Sequence, residues 1–177
     1  MRAYKVLTGG CSTFTGWRWP LPTPDAPGEW VQASGPIALC QNGVHASTVD
    51  QLPQWLGAEL WEIELAGDIV EADPALVAGR GRLLRRVETW NGEAQAAFAG
   101  ACATRARDAG ASGAAAVLLQ TIETMAARGL AAAAGYWSGV LASERATGRR
   151  SGADYDAAFA RERSMQAQWL RSELGLT

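Results

Sequence analysis

The stretch Thr48-Val49-Asp50-Gln51-Leu52-Pro53-Gln54-Trp55-Leu56-Gly57, followed by Glu59-Leu60-Trp61-Glu62-Ile63-Glu64-Leu65, changes its period in the middle. Its first part opens as a capping box: Thr48 can cap a helix and Gln51, three residues on, can reach back to it. Leu52, Trp55 and Leu56 then fall on one helical face, and Gly57 stops the helix. From Glu59 the apolar residues alternate. Trp61, Ile63 and Leu65 share one face of a strand, and Glu62 and Glu64 share the other. A short helix feeding directly into a half-buried strand predicts an α+β fold.

Toward the N-terminus, Ala3–Thr8 is a short apolar run ending in Gly9-Gly10, and it reads as a first strand. Residues 16–28 are punctuated by prolines, which have no N–H and a locked φ, so no regular element fits there. Trp17 and Trp19 are expected to anchor that loop on the core. Pro36–Cys40 reads as a strand, Gln41-Asn42-Gly43 as a tight turn and Val44-His45-Ala46 as another extended piece. Toward the C-terminus, Ala66-Gly67-Asp68 reads as a turn and Ile69–Ala72 as a strand. Gly81–Glu88 is a further strand with Arg85 and Arg86 on opposite faces.

Beyond residue 90 the texture changes. All seven prolines and six of the eight tryptophans lie in the first ninety residues, and the remainder is rich in alanine. This marks a boundary near Trp90–Gly92. Asn91 can cap a helix running to Asp108. Two more helices are expected over 111–128 and 130–146, broken at Gly129. Ser151-Gly152-Ala153-Asp154 is read as the cap of a last helix over 152–174. Tyr155, Phe159, Glu162, Gln166 and Trp169 form one face of it, mixed in polarity and expected to stand partly in water. The predicted architecture is a small, mostly antiparallel sheet with one short helix over residues 1–90. An Ala-rich C-terminal helical subdomain over 91–177 follows it.

Composition narrows the function classes. With 48% hydrophobic and 19% charged residues among 177, the chain is an ordinary globular protein. A net charge of −2 makes no broad field for nucleic acid or anionic lipid, so neither is expected as a partner. Cys11, Cys40 and Cys102 are odd in number and far apart, and there is no C-x-x-C. No disulfide framework, zinc site or other metal site is therefore expected. No long apolar run follows Met1–Leu7, and the apolar stretch Ala111–Ala134 is interrupted by Gln120, Glu123 and Arg128. Neither a signal peptide nor a membrane span is read, and the expected location is the cytoplasm.

His45, the one histidine, sits between a turn and the capped helix. There it could act as acid, base or ligand, or merely satisfy nearby backbone groups. Cys40 lies five residues before it, a Cys–His nucleophile pair or a small apolar filler. Glu62 and Glu64 on one strand face could perform acid–base chemistry, or form the wet side of the sheet. Arg80, Arg82, Arg85 and Arg86 could hold a phosphate or carboxylate, or pair with neighbouring glutamates. Trp17, Trp19 and Trp30 could line a ligand groove or form a small core, and Tyr4 on the first strand joins them as a candidate ligand contact. Thr8-Gly9-Gly10-Cys11-Ser12 matches no standard nucleotide-binding loop and reads as a turn.

Several stretches together resemble an uncharacterised family of actinobacterial proteins. They are Tyr4-Lys5-Val6-Leu7, Trp19-Pro20-Leu21-Pro22, Gly28-Glu29-Trp30-Val31, Cys40 with Gly43-Val44-His45-Ala46, Pro53-Gln54-Trp55-Leu56-Gly57, Leu60-Trp61-Glu62 and Arg80-Gly81-Arg82-Leu83. The resemblance covers residues 3–90 and implies no activity, cofactor or catalytic residue. The order of Gly43–Ser47, Thr48–Leu56 and Leu60–Leu65 is also similar to that of ADP-ribosyltransferase-like folds, which would imply NAD. The chain departs from that pattern. It has no Ser-Thr-Ser run, no clear histidine- or arginine-led first strand, and only Glu62-Ile63-Glu64 as a Glu-x-Glu.

The functional expectation is a small-molecule-binding or enzymatic domain, its cofactor unassigned, with a pocket between sheet and helices near His45. One alternative is a non-catalytic protein-interaction module, self-associating through the C-terminal helices. The other is an NAD-using, ADP-ribosyltransferase-like enzyme.

Overall fold

A computed structural model describes residues 1–110, 112–148 and 151–177. The chain divides into two compact units, Met1–Thr89 and Trp90–Thr177. The fold is α+β.

The first unit is an antiparallel sheet of β1 (Arg2–Thr8), β2 (Cys11–Ser12), β3 (Val31–Gln32), β4 (Val44–Ala46), β5 (Glu59–Ala72) and β6 (Ala75–Arg86). The order is β2-β1-β5-β6-β3, and β4 also pairs with β6. Ser47, just past β4, exchanges two 2.8 Å backbone hydrogen bonds with Tyr4 of β1, so the sheet curls round and closes on itself. The inward face fills with side chains, as in a small barrel. Ala3, Leu7, Trp19, Val44, Ala46, Trp61, Ile63, Leu65, Leu76, Ala78 and Leu83 form this core. The alternation read from Glu59 onward holds: Trp61, Ile63 and Leu65 are buried, and Glu62 and Glu64 are only partly so.

Three local expectations are corrected. The turn expected at Ala66-Gly67-Asp68 is a bulge inside one long strand. Ala66 pairs with Arg80 and Ile69 with Ala78, so the ladder shifts but continues. Gly67 takes φ 78° there, a conformation that costs glycine little. Pro36–Cys40 is no strand but part of a tight turn, closed by Ala38 N–H to Asn42 O at 2.8 Å, with Cys40 at φ 60°. The helix opened by Thr48 shrinks to one 3-10 turn, Leu52–Gln54. Half of its capping box forms, since Thr48 N–H donates to Gln51 Oε1 at 3.0 Å. Pro53 lacks the N–H that an α ladder needs. The turn is instead tied to the β5–β6 hairpin by Gln51 Nε2 to Ala72 O at 3.0 Å and Trp55 Nε1 to Pro74 O at 2.7 Å.

The second unit holds α1 (Gly92–Asp108), α2 (Ala114–Ala127), α3 (Ala131–Thr147) and α4 (Ala153–Leu174). Asn91 caps α1, its side chain accepting from Glu93 N–H and Ala94 N–H at 3.0 and 3.1 Å. The start expected for the second helix, Ala111, lies outside the described residues. Gly152, not a polar side chain, stands at the N-cap of α4, so the cap read there does not form. Helix α3 approaches its neighbours at two glycines. A methyl on Gly139 would meet the Phe159 ring at 2.7 Å, and one on Gly135 would press on Gln166 and Phe98 at 3.2 Å. Among the described residues, no helix is long and apolar enough to cross a membrane.

Candidate functional site

In the sheet unit, the residues singled out from the sequence are committed to one another. Strand β4 carries His45 between Val44 and Ala46, both buried in the core, so its ring points away from that core. His45 Nε2 accepts the Cys40 N–H at 2.9 Å, and Nδ1 lies 3.2 Å from Gly43 O. Both ring nitrogens therefore serve the turn at 38–43, as the neutral Nδ1–H tautomer. Cys40 meets His45 through its backbone N–H, not its thiol.

Lys5, the one lysine, lies on the inward face of β1 with Ala3 and Leu7. Its ammonium donates to His45 O at 2.6 Å and sits 4.8 Å from the Trp19 ring centre. Burial pulls its pKa down to about 8. Burial also lowers the pKa of His45, with the Lys5 charge as a second cause, and the Gly43 carbonyl opposes both. A histidine whose folded pKa lies below its unfolded value stabilises the fold fully above the unfolded value. That contribution is lost as pH falls through the folded one. Wild-type protein should thus lose stability from pH 6.5 downward. A His45→Asn variant should start less stable and show a flatter curve between pH 6.5 and 5, which chemical denaturation at each pH would read. Parallel curves would mean that the ring does not hold the turn.

On the outer face, Glu64 takes both Arg82 Nε and Nη2 at 2.8 Å, and Glu62 is held by Arg85 in a two-point pair. The register opposes Glu64 to Arg82 and Glu62 to Arg85, so β5 and β6 dictate these pairs. Trp30 lies 4.8 Å from the Arg80 guanidinium and 4.7 Å from that of Arg82. Tyr4 is buried, opposite Glu62 in register. Trp19 is buried too and donates from Nε1 to Ser12 Oγ at 2.8 Å, with the half-exposed Trp17 edge-on to it at 5.2 Å. The structure brings together Glu62, Glu64, Tyr4, Trp30, Arg80 and Arg82 on the sheet. It places His45, Trp17 and Trp19 elsewhere in the unit.

A different constellation lies in the helical unit. Glu162 of α4 is 4% exposed and Gln166, one turn on, is fully buried. This mixed face of α4, expected partly in water, therefore packs inward at both positions. Glu162 Oε1 accepts from Arg105 Nη2 at 2.8 Å, Arg105 Nε at 3.3 Å, Ser138 Oγ at 3.0 Å and Gln166 Nε2 at 3.1 Å. The two hydrogens of Gln166 Nε2 are shared among Glu162 Oε1, Gly135 O and Ser138 Oγ, the last two at 2.9 Å, and Gln166 Oε1 accepts from Arg163 Nη1 at 2.8 Å. The Arg163 guanidinium lies 4.9 Å from the Phe159 ring centre. Burial holds its pKa below the usual arginine range. Cys102 Sγ sits 3.4 Å from Arg105 Nη2, yet burial pushes its thiol up to about 11, which keeps it protonated and poorly nucleophilic.

This network opens onto a cavity of about 530 Å³. Arg105, Ser138 and Glu162 supply its polar floor, Asp108 and Arg145 are charged groups at its edge, and Leu141 and Met165 are apolar walls. The four hydrogen bonds to Glu162 all fall on Oε1. Oε2 makes none among the described residues. Glu162 and Gln166 were visible in the sequence as an i, i+4 pair, but Arg105 and Ser138 lie 57 and 24 residues from Glu162, with no motif linking them. Among the described residues, no group of three or more His, Cys, Asp or Glu side chains could hold a metal ion. No protein-family model, curated protein or solved structure matches the chain.

Proposed function

We propose that this chain is a small-molecule-binding protein whose site is the cavity of the helical unit, floored by Glu162, Ser138 and Arg105. One observation carries the reading: a charged, hydrogen-bonded network is buried in an alanine-rich bundle and opens onto a cavity of ligand size. Buried charge costs stability that apolar packing would not, and a ligand contact would explain retaining it. The residues near His45 support a binding site less well. The ring nitrogens of His45, Glu62 and Glu64 already have partners within the sheet.

Native mass spectrometry of protein purified gently from its own cells tests this. The wild type should retain an added mass, and Ala142→Phe, which fills the cavity from its α3 wall, should lose it. Restoring that molecule at about 100 times its Kd should add about 2.7 kcal/mol, or several degrees of Tm, to the wild type alone. A retained molecule that Ala142→Phe leaves in place would refute the assignment.

A further inference from the structure

We infer that the molecule held in this cavity is a small zwitterion, an amine-bearing carboxylate with an apolar body, its ammonium on Glu162 and its carboxylate on Arg145. The inference rests on the cavity being the binding site.

Glu162 sets the first half of the specificity. Its Oε1 lies within hydrogen-bond reach of three side chains, led by the Arg105 guanidinium at 2.8 Å, which holds the carboxylate in one orientation. Oε2 is left as an acceptor on a side chain only 5% accessible, in a residue that lines the cavity. An ionised carboxylate accepts and cannot donate, so a partner of Oε2 must bring N–H or O–H. A carboxylate or phosphate at that point would meet repulsion.

The cavity edge sets the second half. Arg145 and Asp108 are exposed and make no ion pair among the described residues. Arg145 lies seven residues after Ser138 on α3, two turns or roughly 10 Å along the axis. Its long arm can reach back toward the floor and present a planar donor fork, the geometry that suits a carboxylate. Two arginines and two carboxylates line the cavity, so their charges sum to zero and a ligand of no net charge leaves the balance undisturbed. Between the two poles stand Ala106, Leu141, Ala142 and Met165, which fit an aliphatic body and offer it no hydrogen bond.

Isothermal titration of the full chain with 5-aminopentanoate and 6-aminohexanoate, and with the N-acetyl and amide form of each, tests this. At least one parent compound should bind, and capping either pole should weaken it about tenfold or more. Arg145→Ala alters only an exposed side chain and should keep the fold. It should weaken the parent by about the same factor while leaving the amide form unchanged. Failure of both parents at millimolar concentration would overturn the zwitterion class, with native mass spectrometry still reading the cavity separately. Capped forms that bind as well as their parents, yet are blocked by Ala142→Phe, would also overturn it and leave the cavity standing. Binding unaffected by Ala142→Phe would remove the cavity itself.

Discussion

Replacing Glu162 by alanine is expected to destabilise the helical unit by about 3 kcal/mol or more, the range seen when one partner of a buried ion pair is removed. The carboxylate is the common acceptor of Arg105, Ser138 and Gln166. Without it, the Arg105 guanidinium loses its counter-charge, while Ser138 and Gln166 each lose one acceptor and keep Gly135 O within reach. Arg163, already disfavoured as a cation by burial, would also lose a nearby negative charge. Arg105 keeps some access to water, with 28% of its side chain exposed, which keeps the loss toward the lower end. Glu162→Gln retains one carbonyl acceptor and should cost less, about 1–2 kcal/mol. Urea denaturation of the two variants decides the point: equal and small losses would mean that the network contributes little, whereas a clear gap would measure the charge.

The second large effect should come from Phe98→Ala, at about 3–5 kcal/mol. Phe98 is fully buried and lies edge-on to Trp90 at 6.1 Å and to Trp169 at 5.3 Å. It also comes within 3.2 Å of where a Gly135 methyl would stand, so α3 packs closely on it there. Truncation removes two aromatic contacts and leaves a cavity that neighbouring alanines are too short to fill. Tryptophan fluorescence should report a lower midpoint together with a changed native signal from Trp90 and Trp169. A loss below about 1 kcal/mol would mean that the bundle collapses into the space and is less closely packed than its geometry implies.

How much of this was legible beforehand differs between the two units. The strand at Glu59–Leu65 announces itself because a period of two, with apolar residues on one face, has one easy solution: a sheet with a dry side. Asn91 announces α1 for an equally local reason, since its side chain satisfies N–H groups two and three residues away. The bulge at Gly67 was harder. A turn and a bulge both ask for glycine, and only the partner strand, with Arg80 and Ala78 in register, separates them. The short helix after Thr48 failed for a reason that was already visible. Half of the capping box formed, but Pro53 withdrew the donor that the α ladder required.

The candidate site shows the same division. Glu162 and Gln166 could be placed on one face of α4 from their spacing alone. Their surroundings could not be read, because an exposed mixed face and a buried polar network have the same spacing. By itself the sequence determined what local periodicity, capping groups and proline determine: an antiparallel sheet unit, an alanine-rich helical unit and the faces of their elements. Tertiary structure alone decided which polar face turned inward. Burying Glu162 is tolerable only where Arg105 and Ser138, distant in the chain, arrive within hydrogen-bond reach of the same oxygen.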